Sequence, residues 1–221
     1  MTIAQQFIDK DIKYLEYDFQ ARKERRDEQI DKKVATENLL LFKTILDNAN
    51  IEFFLLYGTV LGAIRENDFI EYDTDTDTGI FEEDREKLLK AIPKLLDNGF
   101  ELIRTKVPDD LVTFMRNDEY IDIGIFSLQK GYYTYQNNLI DKYFLDTLES
   151  VNFLGETFLV PSKTELYLEK NYGKDWKTPI KGEPSMNLGW KNYYFRFKRV
   201  FLKTRFGQIV KVIVKKVLGR K

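Results

Sequence analysis

The sequence predicts an α+β protein: a mixed sheet flanked by helices, with helical extensions at both ends. Two observations predict this. Between residues 51 and 185, short apolar or alternating runs of strand character are interspersed with stretches whose apolar residues recur at helical spacing. On either side, residues 1–50 and 186–221 carry helical patterns dense in charge. The chain thus reads as an N-terminal helical segment (1–50), a central domain (51–185) and a basic amphipathic tail (186–221).

Taken in order, "ARKERRDEQIDKK" reads as a solvated helical face or a bend between two helices. "NLLLFKTILDNANI" places apolar residues at helical spacing and stops near Asn48 and Asn50. "EFFLLY" reads as a buried strand, and "GTVLGAIRE" as a short helix opening on Gly58. "DTDTDTGIF" alternates as a strand does. "EEDREKLLKAIPKLLDNG" is a helix whose acidic first turn suits the positive end of the helix dipole. "FELIRTKV", "LVTFMRN" and "YIDIGIFSL" follow as strands, the first two parted by the turn "PDD". From Gly131, aromatic strands lead to the helix "PSKTELYLEKNYG" and its exit "KDWKTP", in which Tyr172 and Trp176 read as packing residues.

Composition excludes whole classes of chemistry. There is no cysteine and no histidine among the 221 residues. Ser-His-Asp and Cys-His catalysis and histidine-held zinc are therefore ruled out. A bound metal must be held by oxygen, which favours Mg²⁺, Mn²⁺ or Ca²⁺ over zinc, and a general base must be Asp, Glu, Lys or Tyr. The N-terminus lacks a basic stretch followed by an apolar one, and no apolar run reaches about 18 residues. A cytoplasmic location is the expectation from these features.

The most informative stretch is "YGTVLGAIRENDFIEYDTDTDTGIF". In an extended strand, Asp73, Asp75 and Asp77 share one face and the threonines the other. Crowded like charges mark either a cation site or a solvated acidic loop. A calcium loop of the EF-hand type is excluded: counted from Asp73, Thr78 stands where glycine is needed and Asp84 where glutamate is needed. Upstream, a strand ending at Gly58-Thr59 as a helix begins leaves backbone N–H groups for phosphate oxygens. Arg65, near the end of that helix, offers a bidentate phosphate contact. Plainer readings are a turn glycine at Gly58 and a surface arginine at Arg65. A phosphate cradle followed by an aspartate strand is similar to the layout of the nucleotidyltransferase fold, which adds a carboxylate from a later strand. Asp122 in "YIDIGIF" suits that place, with an exposed strand position as the alternative.

These residues resemble the LicD/fukutin-related family, whose signature runs roughly YGTLLGAIRHxGFIPWDDDIDIGM. The resemblance continues through "YIDIGIFSL" and "VPSKTELYLEKNYGKDWKTP" and covers about residues 38–179. Glu66 stands where the family usually has His, Thr74 replaces an Asp, Thr76 and Thr78 replace apolar residues, and Glu71-Tyr72 replaces Pro-Trp. The resemblance implies a nucleotidyltransferase-like fold. It also implies transfer of a phosphorylated alcohol, such as phosphocholine or ribitol phosphate, from a CDP-linked donor to a hydroxyl of a cell-surface glycan or its lipid-linked precursor. In that picture Asp75, Asp77 and Asp122 are the catalytic residues and hold Mg²⁺ or Mn²⁺, and Gly58, Thr59 and Arg65 bind phosphate. Two other readings stay open: transfer of NMP from an NTP to a small molecule or protein, and binding of glycan or nucleotide without turnover.

Residues 189–221 carry eleven Lys and Arg and no Asp or Glu, in an otherwise acidic chain. This tail reads either as a terminal helix packed on the domain with its basic face in solvent, or as an interfacial helix on an anionic membrane surface, which suits a lipid-linked acceptor. No nucleic-acid partner is expected, because the rest of the chain is acidic.

Overall fold

The computed structural model describes residues 29–71, 73–106, 110–136 and 138–179. The basic tail and most of the charged N-terminal stretch lie outside the described residues, as does most of the turn at "PDD". Helix α1 (Lys32–Asn48) is capped by Asp31, whose side chain accepts the N–H groups of Lys33 and Val34. Its apolar stripe buries Ala35, Leu39, Phe42, Ile45 and Leu46. Strand β1 (Phe53–Leu55) passes through Leu56 into α2 (Tyr57–Arg65). Strand β2 (Thr76–Phe81), a single 3₁₀ turn and α3 (Arg85–Asp97) come next. They lead to β3 (Glu101–Lys106), β4 (Leu111–Arg116) and the long β5 (Glu119–Gln129). Strands β6 (Tyr132–Tyr135) and β7 (Asn138–Asp141), the short α4 (Lys142–Leu145), β8 (Leu148–Phe153), β9 (Glu156–Pro161) and α5 (Thr164–Tyr172) complete the order.

Seven strands run β3-β4-β5-β2-β1-β9-β8, and the β6–β7 hairpin adds to the far end of β5. The β2–β5 and β1–β9 pairs are parallel and the others antiparallel, so the sheet is mixed as expected. Helix α1 belongs to the same core as the sheet: Phe42 meets the rings of Phe53, Phe100 and Phe114 at 5.5, 6.1 and 6.4 Å. The buried Asn38 amide donates to the Arg116 carbonyl at 2.6 Å and accepts from the Arg116 guanidinium at 2.9 Å, which satisfies a polar group inside this packing.

One expectation needs correction. The alternating stretch was expected to be a strand from Asp73, but β2 begins only at Thr76. Asp73 makes local bonds instead. Its carbonyl accepts the Ile30 N–H at 2.8 Å, its N–H donates to the Ile70 carbonyl, and its own Oδ1 accepts the Thr74 N–H. These bonds keep Asp73 outside the strand ladder, in the segment before β2. Thr76 and Thr78 point into the core, where the family has apolar residues. The Thr78 hydroxyl donates across the sheet to the Asp122 carbonyl at 2.9 Å, which removes the cost of burying it.

The opposite face of the central strands carries the polar rung Asp77↔Asp122 and, two residues on, the glycine rung Gly79↔Gly124. A Cβ on Gly79 would lie 2.6 Å from the Phe54 ring and 2.8 Å from the Phe126 ring. One on Gly124 would meet Phe126 at 3.0 Å and Tyr135 at 3.1 Å. The missing side chains let aromatic rings close directly against the carboxylate rung. Gly79→Ala is expected to destabilise the fold by roughly 1–3 kcal/mol, because rings on two strands must shift at once. Denaturant unfolding checks this, and an unchanged midpoint would show that the rings move freely. Among the described residues, no helix is long and apolar enough to cross a membrane.

Candidate active site

The site lies where β1 ends and β2 and β5 begin. Parallel pairing sets Asp77 opposite Asp122 although they are far apart in the chain. Two attachments place Asp77. Its N–H donates to the Thr59 hydroxyl at 2.9 Å, and its carboxylate accepts the Gly58 N–H. The Leu56 N–H also donates to the Asp77 carbonyl at 3.0 Å. The first turn of α2 therefore grips the strand that carries the aspartate.

This changes the setting of the expected phosphate cradle. Gly58 is needed for space: a Cβ there would lie 2.5 Å from Asp73 Oδ2. Asp73 is 8% exposed, and its Oδ2 has no hydrogen-bond partner among the described residues. Helix α2 has no side-chain cap, and the Asp73 and Asp77 carboxylates bring negative charge to its positive end. In this structure Gly58 and Thr59 organise the carboxylates. Arg65 is also engaged, with Glu66 and with the Trp176 carbonyl.

Charge crowding is the main electrostatic feature. The Asp77 carboxyl is pushed well above the usual range by burial first, and then by the charges of Asp75, Asp73 and Asp122. Asp73 is pushed up to about 7, again by burial first and then by Asp75. Asp75 lies half-buried in the bend before β2. Asp122 accepts the Thr113 hydroxyl from β4 at 2.6 Å. A divalent cation fits this donor set, since every candidate ligand is a hard oxygen and each raises the cost of ionising its neighbours. Among the described residues, no group of three or more such side chains already stands ready to hold an ion.

Tyrosines surround the acidic rung. Burial raises Tyr57, Tyr135, Tyr167 and Tyr172 well above the ordinary phenol value, and Asp77 adds to the rise in each. The Tyr57 and Tyr135 hydroxyls hydrogen-bond to each other, and the Tyr167 hydroxyl accepts the Tyr57 N–H at 3.4 Å. Held neutral, these phenols are hydrogen-bond donors and not bases, which leaves the carboxylates as the proton acceptors. Sequence reasoning missed Thr113 and this cluster. The signal for Thr113 was a hydroxyl in an apolar strand; the tyrosines come from three separate elements, α2, β6 and α5, and carried none.

Comparison with known proteins agrees with the sequence pattern. Residues 50–163 match the family model described as LicD/FKTN/FKRP, nucleotidyltransferase domain. The ribitol-5-phosphate transferase FKTN of Mus musculus is 34% identical over 166 residues, covering 70% of this chain and 36% of that protein. The same protein of Homo sapiens is 30% identical over 161 residues, covering 68% and 34%. The chain thus spans about a third of the length of these curated relatives. Among solved structures, the lincosamide adenylyltransferase LnuA is similar with a TM-score of 0.47 at 15% identity, covering 76% of this chain and 95% of that one. The structure of ANT(2'')-Ia gives 0.48 at 12%, covering 85% and 95%. With the model spanning more than half of its length, the chain belongs to the LicD/fukutin-related family and carries that family's nucleotidyltransferase domain.

Proposed function

We propose that this protein transfers a phosphorylated alcohol from a CDP-linked donor to a hydroxyl of a glycan, with ribitol phosphate as the first candidate because the FKTN relatives are named for it. The observation that carries the reading is the Asp77/Asp122 rung: two carboxylates held side by side by a strand register, with the Asp75 charge close enough to act on Asp77. Asp75, Asp77 and Asp122 would hold Mg²⁺ or Mn²⁺. Such a cation supplies charge neutralisation at the donor's pyrophosphate and at the leaving group.

The chain's own residues do the rest. Gly58 and Thr59 fix Asp77, and Thr113 fixes Asp122, so the carboxylates need little reorganisation as charge develops. The acceptor oxygen attacks the phosphorus nearer the alcohol and its proton passes to a carboxylate, for which Asp122 is the candidate. The breaking P–O bond leaves its electron pair on CMP. The buried tyrosines near Asp77 would offer neutral hydroxyl donors in place of water.

The test is nucleotide release from CDP-ribitol, CDP-glycerol and CDP-choline with Mg²⁺ and a glycan acceptor, followed by mass spectrometry of the product. CMP and a phosphodiester-linked glycan are expected. EDTA should reduce the rate by roughly 10³-fold or more, since the cation's contribution is several kcal/mol. Release of the alcohol phosphate, or of pyrophosphate from an NTP, would instead show NMP transfer.

A further inference from the structure

Arg65 ends α2, and all three of its guanidinium nitrogens bond within the protein. Nε and Nη2 donate to Glu66 Oε1 at 3.1 and 2.6 Å, and Nη1 donates to the Trp176 carbonyl at 3.1 Å. The two side chains are 14% and 29% exposed, so this is not a solvent-screened surface pair. Trp176 is itself 7% exposed. Its N–H returns to the Gly173 carbonyl at 3.3 Å, and Gly173 has the positive φ of 97° that a side chain would resist.

Helix α2 is thereby tied at both ends to the same stretch of chain. At its start the Tyr57 N–H donates to the Tyr167 hydroxyl on α5, and at its end Arg65 holds the turn that follows α5. Tyr172, half-buried, sits in sequence between these two anchors. Glu66 replaces the family's usual His and offsets the charge that would otherwise draw Arg65 toward an anion.

We propose that Arg65 is a positioning residue: locked by Glu66, it pins the 173–176 turn through the Trp176 carbonyl and so holds Tyr172 beside the carboxylate rung. Tyr172 responds to the charges of Asp77 and Asp73 in one direction and to Arg65 in the other, as this placement requires. The role of Tyr172 rests on the transfer reading above; the pinning of the turn does not.

The experiment uses the full chain with Trp190→Phe, which leaves Trp176 as its single tryptophan. Arg65→Met is expected to shift Trp176 emission to the red and to raise acrylamide quenching about twofold or more, because the turn opens locally. Arg65→Lys should recover part of the change, since one ammonium reaches Glu66 or the carbonyl but lacks the planar fork. If Arg65→Met does not fold, Arg65→Lys is read alone, with an intermediate shift expected. Unchanged emission and quenching in the variant that folds would overturn the proposal. So would loss of pyrophosphate binding in Mg²⁺ without a change at Trp176, which would make Arg65 a phosphate ligand.

A second arm follows CMP release from CDP-ribitol in Arg65→Met, Tyr172→Phe and the double variant. Each single change should lower kcat roughly tenfold with little change in KM, and the double should cost about as much as Tyr172→Phe alone. Fully additive losses would show that Arg65 does not act through Tyr172. A wild-type chain that releases no CMP from any CDP-alcohol would count against the transfer reading, and the fluorescence arm would still decide the pinning.

Discussion

Asp77→Asn is expected to lower CMP release by roughly 10³-fold or more while raising the melting temperature of the metal-free protein. The two effects share a cause. Asp77 is ionised at a cost, because desolvation and the charges of Asp75, Asp73 and Asp122 all oppose its negative form. An Asn of the same shape still accepts the Gly58 N–H through its amide oxygen, so the grip of α2 on β2 survives. What goes is the negative charge, which makes the apo site costly and the cation-loaded site competent. Steady-state kinetics and calorimetry on the same preparation check both halves. Near wild-type turnover would remove Asp77 from the metal site. A lower apo melting temperature would show that its hydrogen bonds outweigh the repulsion.

Much of this fold was legible because hydrophobic period is a local property. Strands β1, β4 and β5 and helices α1, α3 and α5 follow runs readable within a dozen residues. The strand at Asp73 was misplaced for a related reason: alternation looks the same in a strand and in a turn whose backbone bonds elsewhere, here to Ile30. The candidate site was legible only as a set of residue types. Asp77 could be singled out in an alternating Asp/Thr run and Asp122 as a carboxylate in an apolar strand, but their facing rung is a matter of register between β2 and β5. Arg65 shows the limit most clearly. A helix-terminal arginine near a glycine turn suggests a phosphate contact, and its bond to a carbonyl 111 residues away was not readable from the sequence. The pairing of Gly79 with Gly124, and the rings packed where their side chains would be, are likewise matters of register and not of local sequence.

The metal-free protein is also expected to be more stable at pH 5 than at pH 8, the reverse of the usual effect of paired carboxylates. Burial, and then the Asp75 charge, raise Asp73 to about 7 in the folded chain, against a lowering contribution from the Thr74 N–H. In the unfolded chain an aspartate titrates near 3.9. Between these values the folded state binds more protons than the unfolded one. Stability is therefore fully present below about pH 4 and is lost as pH rises toward 7. The full shift corresponds to roughly 2–4 kcal/mol for this residue once relaxation of the site is allowed for. Asp77 moves in the same direction. Glu149, lowered by the Lys163 N–H, works the opposite way, but only at more acidic pH. Mg²⁺ should invert the trend, because it binds the ionised carboxylates and stabilises the folded state more at pH 8 than at pH 5. Thermal melts at both pH values, with EDTA and with Mg²⁺, are the measurement, and Asp73→Asn is the control that should remove part of the apo slope, Asp77 supplying the rest. A wild-type apo midpoint that rises with pH, or an Asp73→Asn slope equal to wild type, would mean that the Asp73 carboxylate is compensated in solution. The unpartnered Oδ2 against Gly58 would then not be the strained element on which the acidic end of α2 is built.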